Sequence, residues 1–113
     1  MMRYLMPLLM LITTQALAED ALLVHGKALA EKNCTACHAI GVTGNSPLRE
    51  APPFRDIAAN YDEGELEDAL NEGVATEHPA MPDWQMTPEQ AAALAKYVMS
   101  LAPYGIQKTE LRQ

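Results

Sequence analysis

The most regular pattern of apolar and polar positions lies near the end of the chain, in the stretch TPEQAAALAKYVMSLAP that begins at Thr87. Apolar residues recur there at the spacing of one helix face, which predicts an amphipathic helix. Thr87 is suited to the N-cap, Pro88 to the first helical position, and Gln90 completes a capping box. Pro103 and Gly105 are expected to end the helix. Its inner stripe consists of Leu94, Tyr97, Val98 and Leu101.

Two earlier segments also have the pattern of helices. The first begins at about Ala21 and runs to the cysteine-containing segment, and the residues that recur at helical spacing along its inner stripe are Leu22, Gly26, Leu29 and Asn33. Glycine within a helix costs about 1 kcal/mol relative to alanine, so Gly26 on this stripe predicts the close approach of another helix. A shorter helix is predicted to start at Asp62, which forms an N-cap and N3 pair with Glu65, and to end at Gly73.

Residues 39–53, AIGVTGNSPLREAPP, are rich in glycine, proline and small polar residues and are typical of a long loop. Loops of this length are uncommon in compact domains unless they serve a function or wrap around something. No stretch has the pattern of a strand, and 113 residues are enough for one domain. The sequence therefore predicts a single all-α domain.

The first 18 residues, MMRYLMPLLMLITTQALA, have the features of a secretory signal. One arginine precedes an apolar run from Leu5 to Ile12, and small residues at Ala16 and Ala18 form a cleavage site. A membrane anchor is the alternative, but the apolar run is far shorter than the roughly 20 residues that a bilayer requires. We expect residues 1–18 to be a cleaved signal peptide and residues 19–113 to form an exported, periplasmic domain that does not span the membrane.

The charge of the chain is strongly negative, with a formal net charge of −7 before removal of the leader and −8 after it. This acidity argues against a nucleic acid as a partner. Nine carboxylates lie between Asp62 and Ala95, a segment without lysine or arginine. The segment is either a solvated surface or a docking surface for a partner that carries a basic patch.

The only two cysteines, Cys34 and Cys37, stand directly before His38. Four sites fit this spacing: a redox-active pair, a tetrahedral zinc site, a structural disulfide, and covalent haem attachment through C-x-x-C-H. A redox pair usually starts a helix within a βαβ unit, whereas this pair ends a helical segment. Zinc would require His25 or His78 as a fourth ligand.

Covalent haem is the interpretation that the residues favour. Positions i and i+3 share one face of a helical turn, so Cys34 and Cys37 can reach two vinyl groups on one edge of a porphyrin. His38 is then placed to bind the iron. A single haem c would also supply apolar bulk to a mature chain that has only five aromatic residues.

The second axial ligand is predicted to be Met81, which lies in the stretch HPAMPDW. Pro79 and Pro82 stiffen this loop and can present a thioether to the iron without a helix or strand. His78, three residues away, is the rival ligand. The remaining candidates have other expected roles, packing for two and solvent exposure for the third: Met86, Met99 and His25.

These motifs resemble the class I cytochrome c family in its small bacterial periplasmic form, over about Ala21 to Leu101. The residues that carry the resemblance are Gly26 eight residues before Cys34, the C-x-x-C-H motif, the APPF loop, Met81-Pro82 and Leu94-x-x-Tyr97. Two features depart from the family pattern: Ala39 follows the haem histidine where many members have glycine, and APPF replaces the commoner Gly-Pro-x-Leu. The resemblance implies three to five helices wrapped around one covalently bound haem.

The resemblance also implies roles for individual residues. Gly26 would admit the last helix near Tyr97. The carbonyl of Pro52 would accept a hydrogen bond from His38 and fix the tautomer of its ring. The side chains expected to pack against the haem are Phe54 and Trp84.

The function implied is one-electron transfer. Ligation by His38 and Met81 fills both axial positions, which leaves no open iron for a substrate and raises the reduction potential. We expect a diffusible carrier, and not an enzyme, between a donor dehydrogenase or reductase and an acceptor oxidase. One alternative is the small cytochrome subunit of a periplasmic dehydrogenase complex. A haem peroxidase or gas sensor is another, but Met81 would have to leave the iron.

Overall fold

A computed structural model describes residues 6–73, 81–82 and 84–107, with side chains from residue 15 onward. Four α-helices and one 3-10 turn follow in order: α1 Met6–Asn33, α2 Phe54–Asn60, α3 Glu63–Glu72, α4 Pro88–Met99 and the turn Ala102–Tyr104. No strand occurs in these residues, which agrees with the predicted all-α fold. Within the same ranges, no helix is both long enough and apolar enough to cross a bilayer.

Helix α1 starts earlier than the sequence pattern predicted. The expected start was about Ala21, but the helix begins at Met6. Its first part consists mainly of good helix formers, and Pro7 lies in the first turn, where proline is tolerated. Of the predicted stripe, Gly26 is buried and Leu29 is half-buried, whereas Leu22 and Asn33 are exposed. Ala30 is also buried, and the side-chain amide of Asn33 donates to the carbonyl of Leu29 at 2.9 Å.

Helices α1 and α4 cross at Gly26. A Cβ atom built on Gly26 would overlap the backbone carbonyl of Ala93 and lie 2.9 Å from Cβ of Tyr97. This contact confirms the predicted close approach of a second helix. Small residues on the facing helix allow it, because Ala91, Ala93 and Ala95 of α4 have no exposed surface.

The predicted helix caps are confirmed. At the start of α3, the Glu65 amide donates to Oδ1 of Asp62 at 2.7 Å, and the Asp62 amide donates to Oε2 of Glu65 at 3.3 Å. Thr87 and Gln90 form the equivalent pair before α4. Gly73 ends α3 with a φ of 94°, a conformation that favours glycine.

The stripe on α4 is also confirmed, because its predicted residues are all buried: Leu94, Tyr97, Val98 and Leu101. Helix α2 was not singled out by the sequence pattern. It packs against the segment that follows α4, where a Cβ on Gly105 would overlap the carbonyl of Arg55. The amide of Ile106 donates to Oδ1 of Asp56 at 2.9 Å. At its other side, Nη2 of Arg55 donates to the carbonyl of Gly44 at 2.7 Å, which sets α2 beside the loop that follows the cysteines.

Candidate functional site

The two cysteines and the histidine lie on one hydrogen-bonded turn that continues α1. The amide of Cys34 donates to the carbonyl of Ala30 at 2.9 Å. The Cys34 carbonyl then accepts from the amides of Cys37 at 3.2 Å and His38 at 2.9 Å. Cys34 is buried, Cys37 is half-buried, and neither is in a disulfide. The structure thus brings together the three residues of the motif with both thiols free.

The chemistry of Cys34 does not suit a redox nucleophile. Burial, and then the neighbouring Cys37, raise the pKa of the Cys34 thiol to about 11. Reactive cysteines of redox pairs have a lowered pKa, because the thiolate is the attacking species. The protonated thiol of Cys34 is therefore the opposite of what a thioredoxin-like site requires.

The described residues do not form a zinc site either. In the ranges that the structure describes, no three residues among His, Cys, Asp and Glu are grouped so as to hold a metal ion. His25, one of the two possible fourth ligands, is exposed on α1. His78, the other, lies outside the described residues.

The ring of His38 is held in one tautomer. Its Nδ1 atom lies 2.7 Å from the carbonyl oxygen of Pro52. Because a carbonyl can only accept, Nδ1 carries the hydrogen, and Nε2 keeps its lone pair for a metal. The ring of Phe54 packs beside it, with centroids 5.2 Å apart and planes tilted by 48°. The expected hydrogen bond from His38 to Pro52 is thus present.

Three further hydrogen bonds hold residues 37–39 against the chain that follows them. The amide of Leu48 donates to the carbonyl of Cys37 at 3.1 Å. The amide of Ala39 donates to the hydroxyl of Ser46 at 3.0 Å. The amide of Phe54 donates to the carbonyl of Ala39 at 2.9 Å. The loop therefore braces the segment that follows the histidine.

Helix α4 reaches the same segment through Tyr97, whose hydroxyl donates to the carbonyl of Ile40 at 2.6 Å. Burial, and then the charge of Glu31, raise the pKa of Tyr97, so its hydroxyl stays a donor. Sequence reasoning placed Tyr97 in the core but missed this bond, and it missed Ser46 altogether. A signal existed only for Tyr97, because a tyrosine on a buried stripe needs a partner for its hydroxyl.

Met81 is half-buried in the loop before α4. Its role as an iron ligand stays a prediction, and its rival His78 lies outside the described residues. The two other methionines considered as ligands, Met86 and Met99, have the packing role expected of them, since both pack against the hydrophobic core. Trp84, expected to pack against the haem, also lies against that core.

The donor set on the cysteine turn fits covalent haem. The core beside it contains buried large side chains, among them Phe54, Leu94 and Tyr97, together with alanines that have no exposed surface. Two free thiols and a free imidazole nitrogen on one turn are the donor set that covalent haem attachment uses.

Comparison with known proteins agrees with this site. The family model of cytochrome c matches residues 23–102. The chain is 30% identical over 91 residues to cytochrome c-552 of Bradyrhizobium diazoefficiens, which covers 80% of this chain and 84% of that protein. No solved structure matches the chain. Proteins of this family transfer electrons to and from redox partners through a covalently attached haem. The chain therefore belongs to the class I cytochrome c family and is a haem c electron carrier, not an enzyme.

Proposed function

We propose that this chain is a periplasmic one-electron carrier with His/Met ligation of a single haem c. Cys34 and Cys37 would hold the haem through thioethers, and His38 and Met81 would be the two protein ligands of its iron. The bound haem would supply the one-electron chemistry. The chain would hold it and leave no position on the iron for another ligand.

The observation that carries this proposal is the hydrogen bond of 2.7 Å between Nδ1 of His38 and the Pro52 carbonyl. Such a bond fixes the ring orientation of a metal-binding histidine and raises the basicity of its other nitrogen. Nε2 of His38 is therefore prepared to bind a metal.

Met81 is the proposed second ligand. The adjacent Pro82 restricts its backbone, so a thioether can be held there without a regular element. Met86 and Met99 pack against the core and are engaged in another role. Ligation by this thioether would also give the higher potential of His/Met cytochromes.

The axial ligand can be tested by visible spectroscopy of the oxidised protein, in which sulfur-to-iron coordination gives a weak long-wavelength band. We expect Met81→Ala to abolish this band, to lower the reduction potential and to admit added ligands to the iron. Met99→Leu, which removes a packing thioether, should keep the band. Absence of the band from the wild-type protein, together with entry of added ligands to the iron in His78→Ala but not in Met81→Ala, would assign the ligand role to His78.

The proposal includes export, with cleavage after Ala18. The residues of α1 from Gln15 to Leu22 are exposed, and Leu23 is the first partly buried one. Removal of residues 1–18 therefore takes away no described buried side chain and leaves the crossing at Gly26 intact. The apolar run and the small residues at Ala16 and Ala18 support cleavage at this point.

We also propose that the redox partner carries a basic docking patch. Helix α3 and its cap carry six carboxylates and no basic residue, and Lys96 of α4 lies 3.9 Å from one of them, Glu63. All but one of the six residues are exposed: Asp62, Glu63, Glu65, Glu67, Asp68 and Glu72. Redox complexes are small and weak, so charge governs their encounter more than contact area does. The acidic helix would steer a basic partner toward this side of the molecule.

A further inference from the structure

The peptide bond that leaves His38 is held by a side chain of the following loop. Its N–H, which belongs to Ala39, donates to Oγ of Ser46 at 3.0 Å in a partly buried position. Ser46 lies in residues 39–53, which form neither helix nor strand. A loop residue without regular structure thus holds the backbone next to the proposed iron ligand.

The next peptide group is held by the first residue of α2. The carbonyl of Ala39 accepts the amide of Phe54 at 2.9 Å. Phe54 in turn packs on the His38 ring and lies two residues after Pro52, the partner of Nδ1. The hydrogen bond of Ser46 therefore lies in the same small network as the bond that orients the imidazole.

We propose that Ser46 is a positioning residue for His38, acting through the Ala39 amide to set the angle of the imidazole. The inference rests on the proposed role of His38 as an iron ligand. Without the hydroxyl, the Ala39 N–H loses its acceptor in a partly buried place, which costs enough free energy to favour rotation of the peptide. Rotation of that peptide moves the His38 backbone relative to Pro52 and lengthens the Nδ1 hydrogen bond.

Proton NMR of the oxidised holoprotein measures this angle, because the shifts of the haem methyl groups follow the orientation of the axial ring. We expect Ser46→Ala to change the order or spread of these shifts. Exchange of the His38 ring N–H should become at least about fivefold faster, as expected for a loss near 1 kcal/mol. Ser100→Ala, which removes a hydroxyl bonded to the Tyr97 carbonyl at the far end of α4, should change neither quantity.

An isosteric pair separates the hydroxyl from the shape of the side chain. Ser46→Thr keeps the acceptor and should retain the wild-type shifts, whereas Ser46→Val should behave like Ser46→Ala. The same pair decides the question if Ser46→Ala accumulates poorly.

Two results would overturn the inference, and they differ. If Ser46→Ala and Ser46→Val lower the melting temperature but keep the wild-type methyl shifts and N–H exchange, Ser46 only stabilises the loop. If the wild-type protein itself lacks the shifted haem methyl signals of a low-spin centre, the proposed function has failed, and the inference falls with it.

Discussion

The side chain of Tyr97 makes two separate contacts at the crossing of α1 and α4. Its Cβ lies close enough to Gly26 that a methyl group there would be only 2.9 Å away. Its hydroxyl donates to the carbonyl of Ile40, two residues after His38. One residue therefore joins the packing of the helices to the segment that carries the proposed iron ligand.

Tyr97→Phe should lower the free energy of unfolding by about 1–2 kcal/mol, because the partly buried carbonyl of Ile40 loses its hydrogen-bond donor. The aromatic ring and its packing are kept. Urea unfolding of the oxidised protein measures this loss at constant m-value. Tyr104→Phe is the matched control, since Tyr104 is exposed and should change stability by less than about 0.5 kcal/mol.

The raised pKa of Tyr97 gives this prediction a dependence on pH. Above the ordinary pKa of tyrosine, the unfolded chain loses the phenolic proton before the folded protein does. The folded state then binds more protons than the unfolded state, so stability falls as pH rises through that range. Tyr97→Phe should lack this component of the alkaline loss. Equal alkaline slopes for the two proteins would contradict a buried, donating hydroxyl.

The residues that the sequence could identify are those whose chemistry is local. The spacing of Cys34, Cys37 and His38 identifies them as a haem-attachment motif. The family resemblance added the Pro52 carbonyl as the hydrogen-bond partner of His38. Ser46 could not be found in this way. Several small polar residues of the loop could have reached the Ala39 amide, and only the folded path of the chain selects one of them.

Among the helices, those with local start signals were predicted well. The capping boxes of α3 and α4 are read from residues three apart. Helix α2 has no side-chain cap and depends on distant residues, because Gly105 and Ile106 at the end of the chain pack and bond against it. A pattern within seven residues cannot contain that information. The sequence pattern also failed to predict the early start of α1, because the sequence of its first part has no apolar stripe along one helix face.

Gly26→Ala tests the crossing of α1 and α4. Even one methyl group would overlap the Ala93 carbonyl, so the helices must separate, and we expect a loss of about 1–3 kcal/mol. For a domain of this size, the melting temperature should fall by several degrees or more. Thermal unfolding followed by circular dichroism measures the effect.

Gly41→Ala is the matched control, because a Cβ there meets nothing within 4 Å. Its melting temperature should stay near that of the wild type. If Gly26→Ala and Gly41→Ala melt together, the two helices are not in close contact at Gly26.

The acidic face of α3 is expected to affect how the whole molecule associates with its redox partner. The screening length shrinks from about 30 Å at 0.01 M salt to about 8 Å at 0.15 M. The second-order rate of electron exchange with a basic partner should therefore fall steadily over this range, by roughly tenfold or more. Stopped-flow measurement against a basic redox protein tests this directly.

Substitution of carboxylates shows which part of the surface causes the salt dependence. Glu65→Gln together with Asp68→Asn on α3 should flatten the salt dependence more than Glu19→Gln together with Asp20→Asn on α1. These two pairs each remove two exposed carboxylates. A rate that does not respond to salt would indicate apolar docking, or a permanent complex such as the dehydrogenase subunit considered above.

Covalent attachment of haem to the exported chain is the central claim, and the intact mass of the unfolded protein tests it most directly. The protein is purified from the periplasm, unfolded in acid and measured by mass spectrometry. We predict one species, with the mass of residues 19–113 plus one haem. A mass equal to the polypeptide alone, with the haem recovered free in organic solvent, would contradict the attachment to Cys34 and Cys37.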